Sequence, residues 1–154
     1  MSRRRVALLD VNVLVALFDA DHAHHDLAHD WFADNRDRGW ATCPLTENAL
    51  LRVVGNPRYG SPVAGTAAML EHLKTFRSSG HHEFWPDALS LTDETVFSGS
   101  FMRGHRQLTD VYLLGLARAR GGRLATFDRS IPLGAVVGAD TDTVAIIEPA
   151  SSLA

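Results

Sequence analysis

Four apolar residues in a row, Val6-Ala7-Leu8-Leu9, stop at Asp10-Val11-Asn12, after which Val13, Leu14 and Leu17 continue at helical spacing. An unbroken apolar run of that length fits a strand buried on both faces, and the change of period marks a strand-to-helix turn. Similar short runs recur. Trp40-Ala41-Thr42-Cys43, stopped by Pro44, reads as a second strand, and Glu83-Phe84-Trp85 before Pro86 as a third. Arg123-Leu124-Ala125-Thr126 and Val144-Ala145-Ile146-Ile147 read as two more.

Helical patterns lie between them. Over 25–38, Leu27, Ala28, Trp31 and Phe32 share one face while Asp30, Asp34, Arg36 and Asp37 fall largely elsewhere, and Gly39 ends the helix. Thr46 is the expected cap of a helix reaching about Val54, closed by Gly55-Asn56-Pro57. Residues 56–61 form a loop and 63–77 another helix, broken by Ser78-Ser79-Gly80. Thr109 opens a helix carrying Leu113, Leu114, Leu116 and Ala117, ended by Gly121-Gly122. Strands alternating with helices predict an α/β fold around a mainly parallel sheet.

The 154 residues suit a single domain over 1–154. With 45% apolar and 21% charged residues, the chain is neither a disordered regulator nor a fibre. Fifteen Lys and Arg against 18 Asp and Glu disfavour a globally basic nucleic-acid binder but leave room for a local basic patch. The single cysteine, Cys43, and the lack of zinc-type spacing fit a reducing cytoplasm. Arg3-Arg4-Arg5 before an apolar run resembles a signal peptide, but Asp10 and Asn12 interrupt that run. No stretch approaches the ~20 apolar residues that span a bilayer. The expectation is a soluble cytoplasmic protein with no membrane association.

Ligands of open parallel sheets gather beyond the carboxyl ends of the strands. Asp10 follows the first strand and Asp128 the strand at 123–126, while Glu47 and Asp110 open helices. Glu47 shares its side with Leu50, Leu51 and Val54, and Asp110 with Leu113, Leu114 and Ala117, so both lean toward the core. Each acid alone reads equally well as a capping, dipole or turn residue. Together they point to more, because gathered carboxylates repel and resist desolvation. Such a group needs a cation, and oxygen ligands suit magnesium or manganese.

Leu8-Leu9-Asp10-Val11-Asn12-Val13-Leu14, Thr46-Glu47, Leu108-Thr109-Asp110-Val111-Tyr112-Leu113-Leu114 and Ala125-Thr126-Phe127-Asp128 resemble, in order, the four signature segments of PIN domains. The length and Gly104-His105-Arg106-Gln107-Leu108-Thr109-Asp110 are most similar to the VapC-type toxin ribonucleases of bacterial toxin–antitoxin pairs. The resemblance runs from about residue 5 to 148. It implies a three-layer α/β/α sandwich and metal-dependent RNA cleavage with Mg²⁺ or Mn²⁺. Carried over by position, it makes Asp10, Glu47, Asp110 and Asp128 the catalytic, metal-holding acids, with Asn12 and Thr126 as polar supports. It also implies an RNA substrate, a cognate VapB-like antitoxin and a homodimer.

His105 and Arg106, just upstream of Asp110, are candidate contacts for an RNA phosphate, or else a solvated loop. The histidines at 22, 24, 25 and 29, and His81-His82, suit a polar helix face and loops better than a metal site. Arg3, Arg4 and Arg5 read as a solvated end rather than a binding arm. Leu27, Trp31 and Phe32 read as core or dimer interface. Two other functions share parts of this pattern. A haloacid-dehalogenase-type phosphatase also begins with an acid after its first strand, but it wants a second acid where Asn12 stands, and a lysine near the later acids. The only lysine is Lys74. A receiver-type signalling domain lacks its paired acid here. A non-cleaving RNA- or protein-binding module of the same fold remains the principal alternative to the enzyme.

Overall fold

The computed structural model describes residues 5–59, 65–102 and 104–149. Five strands form one sheet: β1 (Ala7–Leu9), β2 (Trp40–Thr42), β3 (His82–Phe84), β4 (Arg123–Thr126) and β5 (Val144–Ile146). Their spatial order is β3-β2-β1-β4-β5, and all four pairings are parallel, with Leu8 opposite both Ala41 and Leu124. The helices are α1 (Val11–Phe18), α2 (His25–Asn35), α3 (Pro44–Val54), α4 (Gly65–Arg77) and α5 (Leu108–Ala119).

The chain moves outward from β1 to β2 and β3 through α1–α4, then returns through α5 to β4 on the other side of β1. Parallel crossovers share one hand, so reversing the direction of travel moves the connecting helix to the opposite face. The packing shows it. Leu9, Val13, Leu14, Trp40 and Leu50 belong to one buried cluster. Leu8, Ala41, Leu113, Leu114 and Leu124 belong to the other. Successive residues of one strand enter opposite clusters, as a two-residue period requires. This is the expected three-layer α/β/α sandwich. Its reversal lies between β1 and β4, and a crevice beyond their carboxyl ends is where such sheets hold ligands. No helix of the described residues is long and apolar enough to cross a membrane.

Several boundaries differ from the sequence reading. Pro44 ends β2 but also begins α3, where its missing N–H leaves nothing unpaired. Cys43 is the cap, and Thr46, three residues in, returns the bond: the Cys43 N–H donates to Thr46 Oγ1 at 3.0 Å. Thr109 likewise lies inside α5, which starts at Leu108 after a 3-10 turn over His105–Gln107. The helix at 25–38 is α-helical only to Asn35 and tightens over Arg36–Arg38 before Gly39, whose φ of 95° suits glycine. β3 begins one residue earlier than expected, at His82. Pro57–Tyr59 is a 3-10 turn rather than plain loop, while Gly60, Ser61 and Val63 lie outside the described residues. Phe97 makes an isolated antiparallel bridge to Val136 that no apolar run announces.

Phe97 also defines a close contact. A methyl group on Gly115 of α5 would stand 2.5 Å from two Phe97 ring carbons, and that ring is buried. Gly115→Ala is therefore expected to destabilise by about 1–3 kcal/mol through overpacking, despite alanine's better helix propensity. Urea unfolding of the variant measures it, and an unchanged or raised midpoint would show that Phe97 moves aside freely.

Candidate active site

Asp10 leaves β1 and caps α1. It is 4% exposed, and both carboxylate oxygens are engaged: Oδ1 accepts the Val11 N–H at 2.7 Å and Oδ2 the Thr126 hydroxyl at 2.8 Å. Thr126 is the last residue of β4 and fully buried. Its Oγ1 also accepts the Asp128 N–H at 3.1 Å, so one hydroxyl ties together the ends of two neighbouring strands. Asp128 is held in a tight turn, its Oδ1 accepting from the Ser130 N–H at 2.7 Å and the Ser130 hydroxyl at 2.6 Å.

Asp110 enters from the other layer, in the first turn of α5. Burial raises it to about 6, and the charges of Asp10 and then Asp128 add to the effect. Asp10 is also raised, by burial first, against the lowering bonds from Thr126 and Val11. Among the described residues none of these three acids has a Lys, Arg or His within ion-pairing distance. Among the described residues the crevice is therefore partly dry, negative and short of positive charge.

Glu47 is placed differently. Its Oε2 accepts the Thr42 hydroxyl at 2.6 Å and lies 3.3 Å from Arg77 Nη1, so it carries its own counter-charge. His82 Nε2 lies 2.7 Å from the same Thr42 oxygen. With the hydroxyl proton directed at Glu47, His82 must donate, which assigns the proton to Nε2. Burial, then Arg77, lowers His82 to about 4, so it is neutral there. Glu47 is not among the charges that raise Asp10 or Asp110. Among the described residues no three His, Cys, Asp or Glu side chains stand close enough to hold a metal ion as placed.

Of the other residues singled out by sequence, Asn12 is exposed in the first turn of α1, and its side chain makes no hydrogen bond among the described residues. His105 and Arg106 are exposed in the turn that leads into α5. His25 Nδ1 is paired with the Ala16 carbonyl oxygen at 2.7 Å, and His22 accepts the His24 N–H. Phe32 is core, edge-on to Trp40, while Trp31 is half-buried beneath Arg123. Arg5 donates to the Asp142 carbonyl; Arg3 and Arg4 lie outside the described residues.

Three contributors escape sequence reasoning. Arg77 and Thr42 meet Glu47 only through the fold. Ser130 has a local signal, since an Asp followed two residues later by Ser favours a side-chain-closed turn. The donor set itself suits a hard divalent cation: it is all oxygen and anionic, and among the described residues only Glu47 has a protein cation beside it.

The PIN-domain family model matches residues 7–133. This chain belongs to the PIN-domain family. This PIN domain is 44% identical over 141 residues to Ribonuclease VapC44 of Mycobacterium tuberculosis, covering 92% of this chain and 99% of that protein. It is 46% identical over 126 residues to Ribonuclease VapC38 of the same species, covering 82% and 87%. Ribonuclease VapC29 is 44% identical over 124 residues, covering 80% and 86%.

Proposed function

We propose that this PIN domain is a divalent-metal-dependent endoribonuclease, the toxin of a VapBC-type pair, acting as a single domain over 1–154 in the cytoplasm. The observation that carries this reading is the trio Asp10, Asp110 and Asp128, drawn from both sides of the topological reversal and lacking a partner cation among the described residues. Relatives named ribonucleases, aligned over most of the chain, supply the substrate class. A VapB-like antitoxin and a homodimer follow from the same kinship.

Asp10, Asp110 and Asp128 would hold Mg²⁺ or Mn²⁺, with Glu47 completing the set and exchanging Arg77 for the ion. A hard divalent cation bound there supplies activation of water and neutralisation of charge on the phosphoryl oxygens. The protein's own part is positional. Thr126 locks the Asp10 carboxylate and the Asp128 backbone together, so the two strand-end acids keep a fixed separation. Ser130 fixes the rotamer of Asp128. His105 and Arg106, exposed where the chain enters α5, would meet the RNA backbone, and Asn12 would offer a polar group beside Asp10.

The test is cleavage of a mixed RNA pool by purified protein with Mg²⁺ or Mn²⁺, alongside EDTA and Asp10→Asn controls. Cutting that disappears in both controls supports the enzyme. RNA binding without cutting under any metal would leave the non-cleaving module.

Arg77 allows a separate check of Glu47. Removing a cation 3.3 Å from a ligand carboxylate favours a competing cation. Arg77→Gln is expected to tighten Mn²⁺ binding roughly three- to tenfold, half to one pKa-unit equivalent of charge interaction, by calorimetric titration. Unchanged affinity would place Glu47 outside the metal-binding set.

A further inference from the structure

Beside the acidic crevice lies a small cavity of about 190 Å³ that begins at Asp128. Ile131, Leu133, Val144 and Ile146 line it, with Arg129 and Thr141 also on its wall. Val144 and Ile146 sit two apart on β5 and so present the same face of the edge strand, where both stay half-exposed. Val144 packs in part against the α5 side of the core, but both β-branched residues keep apolar surface on the cavity wall, in contact with water that a ligand could displace. A larger depression of about 560 Å³ lies near Arg52 and Tyr59, along the second half of α3 and the turn after it. None of the four acids lines that one. The small cavity shares Asp128 with them.

We infer that this cavity receives one nucleobase of the RNA, from a nucleotide flanking the scissile phosphate. The inference rests on the nuclease reading above. Three features choose this occupant. The volume is below the ~300–1,000 Å³ of pockets that take drug-sized ligands, so it suits one ring system. The walls are aliphatic, fitting the faces of a base rather than a phosphate or ribose, and Thr141 with Arg129 leaves polar groups for a base edge. The shared Asp128 sets the spacing: a base seated here belongs to a nucleotide whose phosphate lies at the crevice. Arg129 is paired with the exposed Glu148, so its charge at the mouth is already balanced and the entrance does not select for an anion.

The test uses the full chain with its isoleucine, leucine and valine methyl groups isotopically labelled. RNA oligonucleotides spanning a mapped cleavage site, made uncleavable by replacing the bridging oxygens of the scissile phosphate with methylene groups, are titrated in. A parallel series has each flanking nucleotide in turn made abasic. The methyl resonances of Ile131, Leu133, Val144 and Ile146 are expected to shift with the intact oligomer, and to lose that shift when one particular base is absent. If cutting has failed and no site is mapped, an uncleavable oligomer of mixed sequence replaces it. In that case methyl shifts alone would uphold the cavity while the nuclease reading falls.

Ile146→Trp fills the cavity on a strand that tolerates aromatic residues. It is expected to raise KM for cleavage about tenfold, with kcat nearly kept, and to remove the penalty for the abasic substrate. RNA that binds or is cut without moving these methyls would overturn the inference and leave the nuclease intact. So would a tryptophan variant whose abasic penalty equals that of the wild type. RNA that does not bind at all overturns both.

Discussion

Asp10→Asn is expected to lower RNA cleavage by at least ~10²-fold, while the protein melts no lower than the wild type. The lower bound follows from metal sites in which partners of the ligands, one layer out, already cost about 10–100-fold when removed. A direct ligand should cost more. The stability half of the expectation comes from the bonds Asp10 makes. Asparagine caps helices about as well as aspartate, so its amide oxygen can keep the Val11 N–H. Its NH₂ then faces Thr126 Oγ1, which accepts in place of donating. What disappears is a buried negative charge whose pKa is raised by burial and by Asp128. Relief of that charge stabilises the metal-free protein, so a higher melting temperature is the expected direction. Activity is read on the mixed RNA pool and stability by calorimetry in EDTA. A variant that melts far below the wild type would make Asp10 a structural residue. One that cuts normally would remove it from the site.

The parts of this molecule legible in the sequence are those carried by local pattern. β1 and β4 are short apolar runs ending in Asp10 and Thr126, so both the strands and the polar groups at their ends can be read directly. The positions of Glu47 and Asp110 on their helices follow from spacing to Leu50, Val54, Leu113 and Leu114, which are all buried. What spacing does not reveal is which acids meet. Asp110 reaches the vicinity of Asp10 and Asp128 because the crossover through α5 lies on the opposite face from α1–α4, a consequence of strand order. Glu47 instead meets Arg77, thirty residues later on α4, and nothing near either residue in the chain announces that pair. The helix starts expected at Thr46 and Thr109 fall earlier for a related reason. A threonine reads as a cap, but in α3 Cys43 holds the cap position and Thr46, inside the first turn, bonds back to it, and a 3-10 turn already leads into α5.

Mn²⁺ is expected to raise the melting temperature of the wild type at pH 7, and this effect should shrink at pH 5 and shrink at both pH values in Asp110→Asn. Binding to the folded state alone, at 100 times Kd, stabilises by about 2.7 kcal/mol, or roughly 5–10 °C for a chain of this size. The pH dependence follows from Asp110. Its pKa rises on folding from the ordinary carboxylate value of 3.8 to about 6, so between those values the native state binds the extra proton. Stability contributed by this group therefore falls as pH rises through about 4 to 6, and the ionised acid left above pH 6 is what a cation relieves. His82 works against this in nearly the same window. Its pKa drops from 6.5 to about 4 on folding, so its contribution grows as pH rises. The wild-type melting curve alone mixes the two. The difference between wild type and Asp110→Asn, taken at each pH in EDTA, cancels His82 and isolates the acid. That difference is expected to move against the wild type by up to about 3 kcal/mol between pH 4 and pH 7, less whatever solvent screening removes. A flat difference would mean that Asp110 is solvated like a surface carboxylate. The crevice would then hold no stored repulsion for a metal to relieve.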